Sequence, residues 1–84
     1  MVTVIYFARL REALGRGSEQ IALPDGVRDL EALRAMLRGR GGAWADELAG
    51  SKPVRAAVNQ DLAHADTPIG DGDEIAFFPP VTGG

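Results

Sequence analysis

Asp71-Gly72-Asp73-Glu74-Ile75-Ala76-Phe77-Phe78-Pro79-Pro80-Val81-Thr82-Gly83-Gly84 places a turn, a strand, a strand terminator and a tail in one continuous run. Asp71-Gly72-Asp73 has the chemistry of a tight turn. Glu74 to Phe78 then alternates as a strand, with Ile75 and Phe77 on one face and Ala76 and Phe78 on the other. Pro79 and Pro80 lack N–H donors and fix φ, so a sheet ladder stops at Phe78 and the chain leaves as a stiff, extended arm. Gly83 and Gly84 give that arm the thinnest backbone available, suited to threading a narrow channel and presenting a terminal carboxylate in another protein's active site. A Gly-Gly end is also what a frayed terminus or a cloning remnant looks like. The order of strand, double proline, β-branched spacer and diglycine favours the functional reading, in which the chemistry sits on the Gly84 carboxylate.

Upstream of this run, Met1 to Ala8 reads as a strand, with Val2, Val4 and Tyr6 on one face and Thr3, Ile5 and Phe7 on the other. Arg9 to Leu14 fits a short helix packing Leu10 and Leu14 and stopping at Gly15. Gln20 to Leu23 reads as a second strand closed by Pro24-Asp25-Gly26, and the two strands together form a sheet edge. The main helix is expected to start at Asp29, whose carboxylate caps free N–H groups, with Glu31 in the first turn. Leu30, Leu33 and Leu37 are its buried stripe, Arg34 and Arg38 its solvated face, and Gly39 and Gly41-Gly42 its end. Ala43 to Leu48 fits a further short helix anchored by Trp44 and Leu48, with Trp44 in a packing role. Val54 to Asn59 is a strand, and Asn59-Gln60-Asp61 turns it into a short return around Leu62.

The chain has 84 residues, enough for one modest core. Its hydrophobic content of 45% and charged content of 25% are ordinary for a soluble globular domain, so neither disorder nor a disulfide or metal staple is implied. A net charge of -3 argues against general nucleic-acid binding and suits a partner with a basic docking surface. No apolar run is long enough for a membrane span, and the start lacks a signal-peptide pattern, so a cytoplasmic location is expected. The chain contains no cysteine, which removes persulfide chemistry, thiolate nucleophiles and zinc sites with sulfur ligands, so any sulfur it carries must ride elsewhere. His64 is the single histidine and reads as a surface residue, so no metal site is expected.

Strand, strand, main helix, strand, strand is the order of an α+β domain with one helix across one face of a small mixed sheet, the β-grasp arrangement. Residues 1–80 are expected to form this domain and residues 81–84 a flexible diglycine tail. One helix covers one sheet face, so Val2, Val4, Tyr6, Ile75 and Phe77 should meet Leu30, Leu33 and Leu37. Ile5, Phe7, Ala76 and Phe78 are left on the other face, which Leu62 extends into an apolar patch suited to a protein partner unless loops or short helices cover it.

These residues resemble a known family. Val4-Ile5-Tyr6-Phe7-Ala8 followed by Arg11-Glu12, Leu30-Glu31-Ala32-Leu33, Ala57-Val58-Asn59-Gln60 and, most specifically, Asp71 to Gly84 are similar to the small, sulfur-carrier subunits of molybdopterin synthase, the MoaD type of ubiquitin-like protein. The resemblance spans the chain. It implies that an E1-like adenylating enzyme of the MoeB type uses ATP to convert the Gly84 carboxylate to an acyl adenylate, and that a sulfur donor protein then yields a thiocarboxylate. It further implies docking on a MoaE-type large subunit in a heterotetramer, where the tail gives its sulfur to cyclic pyranopterin monophosphate in molybdenum cofactor biosynthesis. Gly84 is then the reacting group and Gly83 allows its passage. Phe7, Leu62 and Phe78 form the docking surface, joined by Pro79, Pro80, Val81 and Thr82 along the arm. No cofactor is bound by the chain itself, which is a carrier and not an enzyme alone.

Other functions share these features. A sulfur carrier for the thiamine thiazole pathway has the same fold and diglycine. A ubiquitin-like modifier would join Gly84 to lysine amines after the same adenylation. A non-reactive binding module would use only the sheet face.

Overall fold

The computed structural model describes residues 1–80. Eight elements follow one another: β1 (Val2–Tyr6), α1 (Ala8–Leu14), β2 (Ser18–Ile21), α2 (Leu30–Arg38), α3 (Gly42–Glu47), β3 (Arg55–Val58), β4 (Asp61–Leu62) and β5 (Glu74–Phe78). The strands form one sheet in the order β2-β1-β5-β3-β4. β1 and β5 are parallel at its centre, while β1/β2, β3/β5 and β3/β4 are antiparallel. A parallel pair needs a long crossover, and the segment containing α2 supplies it. The expected mixed-sheet β-grasp is the fold observed.

Alternation sets which side chains enter the core. Val2, Val4 and Tyr6 of β1 and Ile75 and Phe77 of β5 are buried, and they cluster with Leu30, Leu33 and Leu37 of α2. Leu10 and Leu14 of α1, Leu48 after α3 and Ile69 close the same core. Tyr6 is its pivot, stacked near Phe77 with ring centroids 6.3 Å apart and edge-on to Trp44 at 5.3 Å. Trp44 therefore packs, as expected, and the Arg40 guanidinium lies 4.4 Å from its ring centre.

The helix signals behave as read. Asp29 has extended backbone, and its Oδ1 accepts from the Ala32 N–H at 2.8 Å. Gly15 ends α1 in the left-handed region at φ 73. At the far end of α2 the glycines act differently from expectation. Gly39 is right-handed, whereas Gly41 and Gly42 have φ 77 and φ 54, and their left-handed turn launches α3 at Gly42 instead of merely closing α2.

Two expectations are corrected. β2 runs over Ser18–Ile21 and not Gln20 to Leu23, because Glu19 occupies an inward position opposite Val4. Four side chains make that position tenable for a carboxylate. Tyr6 Oη donates to Glu19 at 2.7 Å, Arg40 donates twice at 2.8 and 2.9 Å, and Arg16 donates at 3.2 Å, while Trp44 packs over the cluster. The Arg40 hydrogen bonds hold the Glu19 carboxyl below its usual range, and burial, helped by Glu19, raises the Tyr6 hydroxyl. The second correction is Arg34, which is not solvated. Its Nε donates to Leu48 O at 2.9 Å and its Nη2 to Ala49 O and Lys52 O at 2.6 and 3.1 Å, so it pins the loop after α3 to α2. Arg38 adds a weaker contact to Leu48 O at 3.4 Å beside its ion pair with Glu31.

Glu19→Gln is expected to flatten the acid side of the stability profile. Folding lowers the Glu19 pKa, so its stabilisation is complete above the unfolded value of about 4.3 and is lost as pH falls through the folded value. Denaturation midpoints measured between about pH 6 and pH 3 should fall less for the variant than for the wild type. Parallel curves would place the acid sensitivity in other carboxylates.

Candidate functional site: the open sheet face and the root of the tail

The start of β5 is tied down from several directions. Asp73 accepts from the Gly70 N–H at 2.8 Å and from Asn59 Nδ2 at 3.0 Å, contacts that hold its carboxyl below the ordinary range, the Asn59 bond most of all. Asn59 Oδ1 in turn accepts from the Glu74 N–H at 3.0 Å. Asn59 and Gln60 are both left-handed, at φ 51 and φ 71, as a two-residue hairpin turn between β3 and β4 requires. The Gly72 N–H donates to Met1 O at 2.8 Å, and the Met1 ammonium pairs with Asp71, so β1 and β5 begin together. At the other end the Phe7 N–H donates to Phe77 O at 3.1 Å, and β5 stops at Phe78, where the double proline was expected to end the ladder.

Fixed this way, the sheet carries an apolar row across the face that α2 does not cover. Cross-strand partners share a face, and the registers Ile5↔Ala76, Ala76↔Ala57 and Ala57↔Leu62 run from β1 to β4. One row further along lie Phe7 and Phe78, with Arg55 opposite Phe78. One row back, Thr3 pairs with both Gln20 and Glu74, and the surface turns polar. Ile5, Phe7, Ala57, Gln60, Glu74, Ala76 and Phe78 line a shallow concavity of about 260 Å³ on this face. Phe7 is 48% exposed and Leu62 is 62% exposed, a large apolar area given that, among the described residues, the other big apolar side chains, the N-terminal Met1 excepted, are at least partly covered.

The structure thus brings Phe7, Leu62 and Phe78 to one face, where Phe7 and Leu62 are exposed and the concavity is lined by strand residues, Phe7 and Gln60 of the β3/β4 turn. Pro79 and Pro80 follow directly, half-buried and without regular structure. Val81, Thr82, Gly83 and Gly84, the expected arm and reacting end, lie outside the described residues. Sequence reading missed Ala57 and Arg55 as members of this face. The alternation of Val54, Ala56 and Val58 against Arg55 and Ala57 carried that signal. His64 is exposed, and among the described residues no cluster of three or more His, Cys, Asp or Glu is placed to hold a metal ion. Among the described residues no helix is long and apolar enough to cross a membrane.

The model of the ThiS family matches residues 4–84, nearly the whole chain and including the diglycine. The chain belongs to the ThiS family. Among full-length relatives of this ThiS family member is the molybdopterin synthase sulfur carrier subunit of Escherichia coli strain K12, 44% identical over 84 residues and covering 100% of both chains. Solved structures agree on the fold. The small archaeal modifier protein 1 of Haloferax volcanii superposes with a TM-score of 0.79 at 25% identity, covering 95% of this chain and 97% of that one. A chain from the complex of subunits 1 and 2 of the molybdopterin-converting factor of Helicobacter pylori matches with a TM-score of 0.66 at 28% identity, covering 99% and 97%. The ubiquitin-like β-grasp assignment and the resemblance to sulfur carrier subunits of molybdopterin synthase both hold.

Proposed function

We propose that this ThiS family member is the sulfur-carrying small subunit of a molybdopterin synthase and works through a thiocarboxylate on Gly84. The observation that carries the reading is the bare apolar face ending at Phe78-Pro79-Pro80, the point from which the chain continues to Gly83-Gly84. A partner gripping Phe7, Leu62 and Phe78 takes hold of the root of the tail, so docking and delivery of the end are one event. The relatives' names support this reading, as does the absence of cysteine, which leaves the C-terminal carboxyl as the group to be loaded.

In the first stage an E1-like adenylating enzyme couples ATP to the Gly84 carboxylate. Pyrophosphate leaves, and the carboxyl becomes an acyl adenylate open to nucleophilic attack. Hydrosulfide supplied by a donor protein attacks the acyl carbon, AMP leaves, and the tail ends as the thiocarboxylate. In the second stage the loaded carrier binds the large subunit through its open face, with Pro79, Pro80, Val81 and Thr82 as the arm. The soft terminal sulfur attacks a pterin carbon as an oxygen leaving group departs, and water then cleaves the resulting thioester, which leaves the sulfur on the pterin and restores the Gly84 carboxylate without release of free sulfide. ATP and the acid-base groups belong to the partners, and the chain supplies the handle, the arm and the loaded end. Such a cycle fits the cytoplasm. Residues 1–80 then act as the scaffold and 81–84 as the working tail.

Intact mass after incubation with ATP, an adenylating partner and a sulfide source tests the reading. The expected product is the chain with one terminal oxygen replaced by sulfur. The likeness to the Haloferax modifier protein favours a second reading, conjugation of Gly84 to lysine amines, and adducts on other proteins without any thiocarboxylate would establish it in place of the first.

A further inference from the structure

The antiparallel register that pairs Arg55 with Phe78 puts a cation on the open face, next to the last aromatic residue before the tail. Arg55 is exposed, and among the described residues its side chain meets no carboxylate and no hydrogen-bond acceptor. Most other arginines are engaged within the fold: Arg9 with Glu47, Arg16 and Arg40 with Glu19, Arg38 with Glu31, and Arg34 with backbone carbonyls. The face is also polarised. Arg55 stands at the tail end, and Glu74 stands at the far end, opposite Thr3.

A partner that covers Phe78 also strips water from its neighbour Arg55. A guanidinium that loses water without gaining an acceptor is strongly unfavourable, and its planar fork is matched best by a carboxylate taking two parallel hydrogen bonds. An apolar stripe alone fixes orientation poorly. A cation at one end and an anion at the other specify which way round the partner lies. The substrate's phosphate is a poorer match, because the six residues Pro79 to Gly84 reach about 20 Å at full extension and leave Arg55 at the mouth of any pocket the tail enters.

We infer that Arg55 is a specificity-determining residue of the docking face, meeting a carboxylate of the large synthase subunit at the root of the tail and orienting the carrier so that the tail points into the pocket. The inference rests on the docking reading above. Its test is the kinetics of binding to the purified large subunit at about 50 mM and about 500 mM salt, for the wild type and for Arg55→Glu, Arg55→Lys, Arg55→Ala and Phe78→Ala. Arg55→Glu is expected to slow association about tenfold or more at low salt and to remove most of the salt dependence. Arg55→Lys should keep the association rate but dissociate faster, because an ammonium cannot form the paired bonds. Arg55→Ala serves if the charge reversal disturbs folding, and it should show the same loss of salt dependence in weaker form. Arg55 variants that bind like the wild type at both salt concentrations, while Phe78→Ala binds weakly, would overturn the role of Arg55 and leave the docking face standing. A wild-type chain that does not bind the large subunit would overturn both.

Discussion

Deleting Gly84 is expected to abolish sulfur transfer while leaving the fold and the docking of the carrier nearly unchanged. Among the described residues the last ladder contact of β5 is made at Phe78, and every buried core residue lies at or before Phe77. The core of the described residues does not include Gly84, so the melting temperature is expected to stay within about 2 °C of the wild type. Activity has no such tolerance. In the proposed cycle the reacting carbon is the Gly84 carboxyl carbon, and a tail that ends at Gly83 presents its carboxylate one residue short, about 3.5 Å back from the attacking group. Misplacement by even 1 Å costs about a hundredfold in such reactions, so loss below detection is the expected result. The measurements are thiocarboxylate formation by intact mass, binding to the large subunit and thermal melting. A deletion variant that still acquires sulfur at its new end would show that the adenylating enzyme reads the face and not the reach of the tail. A variant that melts far below the wild type would make Gly84 part of the scaffold.

The sequence was legible where strong punctuation bounded a regular apolar period. β5 has the bounds expected for it, because Asp71-Gly72-Asp73 and Pro79-Pro80 fence five alternating residues. The buried leucines of α2 and its Asp29 cap were likewise readable, since spacing and capping are local. The misreadings involve side chains satisfied from a distance. The strand expected over Gln20 to Leu23 left Glu19 out, and only Tyr6, Arg40 and Arg16 make its inward position tenable and shift β2 towards the N-terminus. Arg34 read as solvated because the carbonyls it holds are 14 to 18 residues further along the chain. At the site, alternation alone revealed Phe7 and Phe78 on the uncovered face. Alternation also set Arg55 apart from Val54 and Ala56, but its place beside Phe78 emerged only with the β3/β5 register, which two separated segments decide together.

Leu33→Ala is expected to bring this domain close to its stability limit. Leu33 is fully buried at the centre of the α2 stripe, in the core cluster that holds Val4, Ile75 and Phe77 of the two central strands. Truncation there removes the burial of the side chain and leaves a cavity that a helix pressed on a sheet fills only in part. The cost is about 2–5 kcal/mol. Total stability for small domains is about 5–15 kcal/mol, and each kcal/mol corresponds to about 4–8 °C in melting temperature at this size. The variant should therefore melt at least about 10 °C below the wild type, with its chemical denaturation midpoint shifted and its slope unchanged. Its effect on function should follow from the folded fraction alone, because Leu33 lies on the covered side of the sheet, away from Phe7, Leu62 and Phe78. At a temperature where the variant is folded, its binding to the large subunit should match the wild type. An unchanged denaturation midpoint would remove Leu33 from the core, and weak binding by a fully folded variant would show that the helix side of the sheet also takes part in docking.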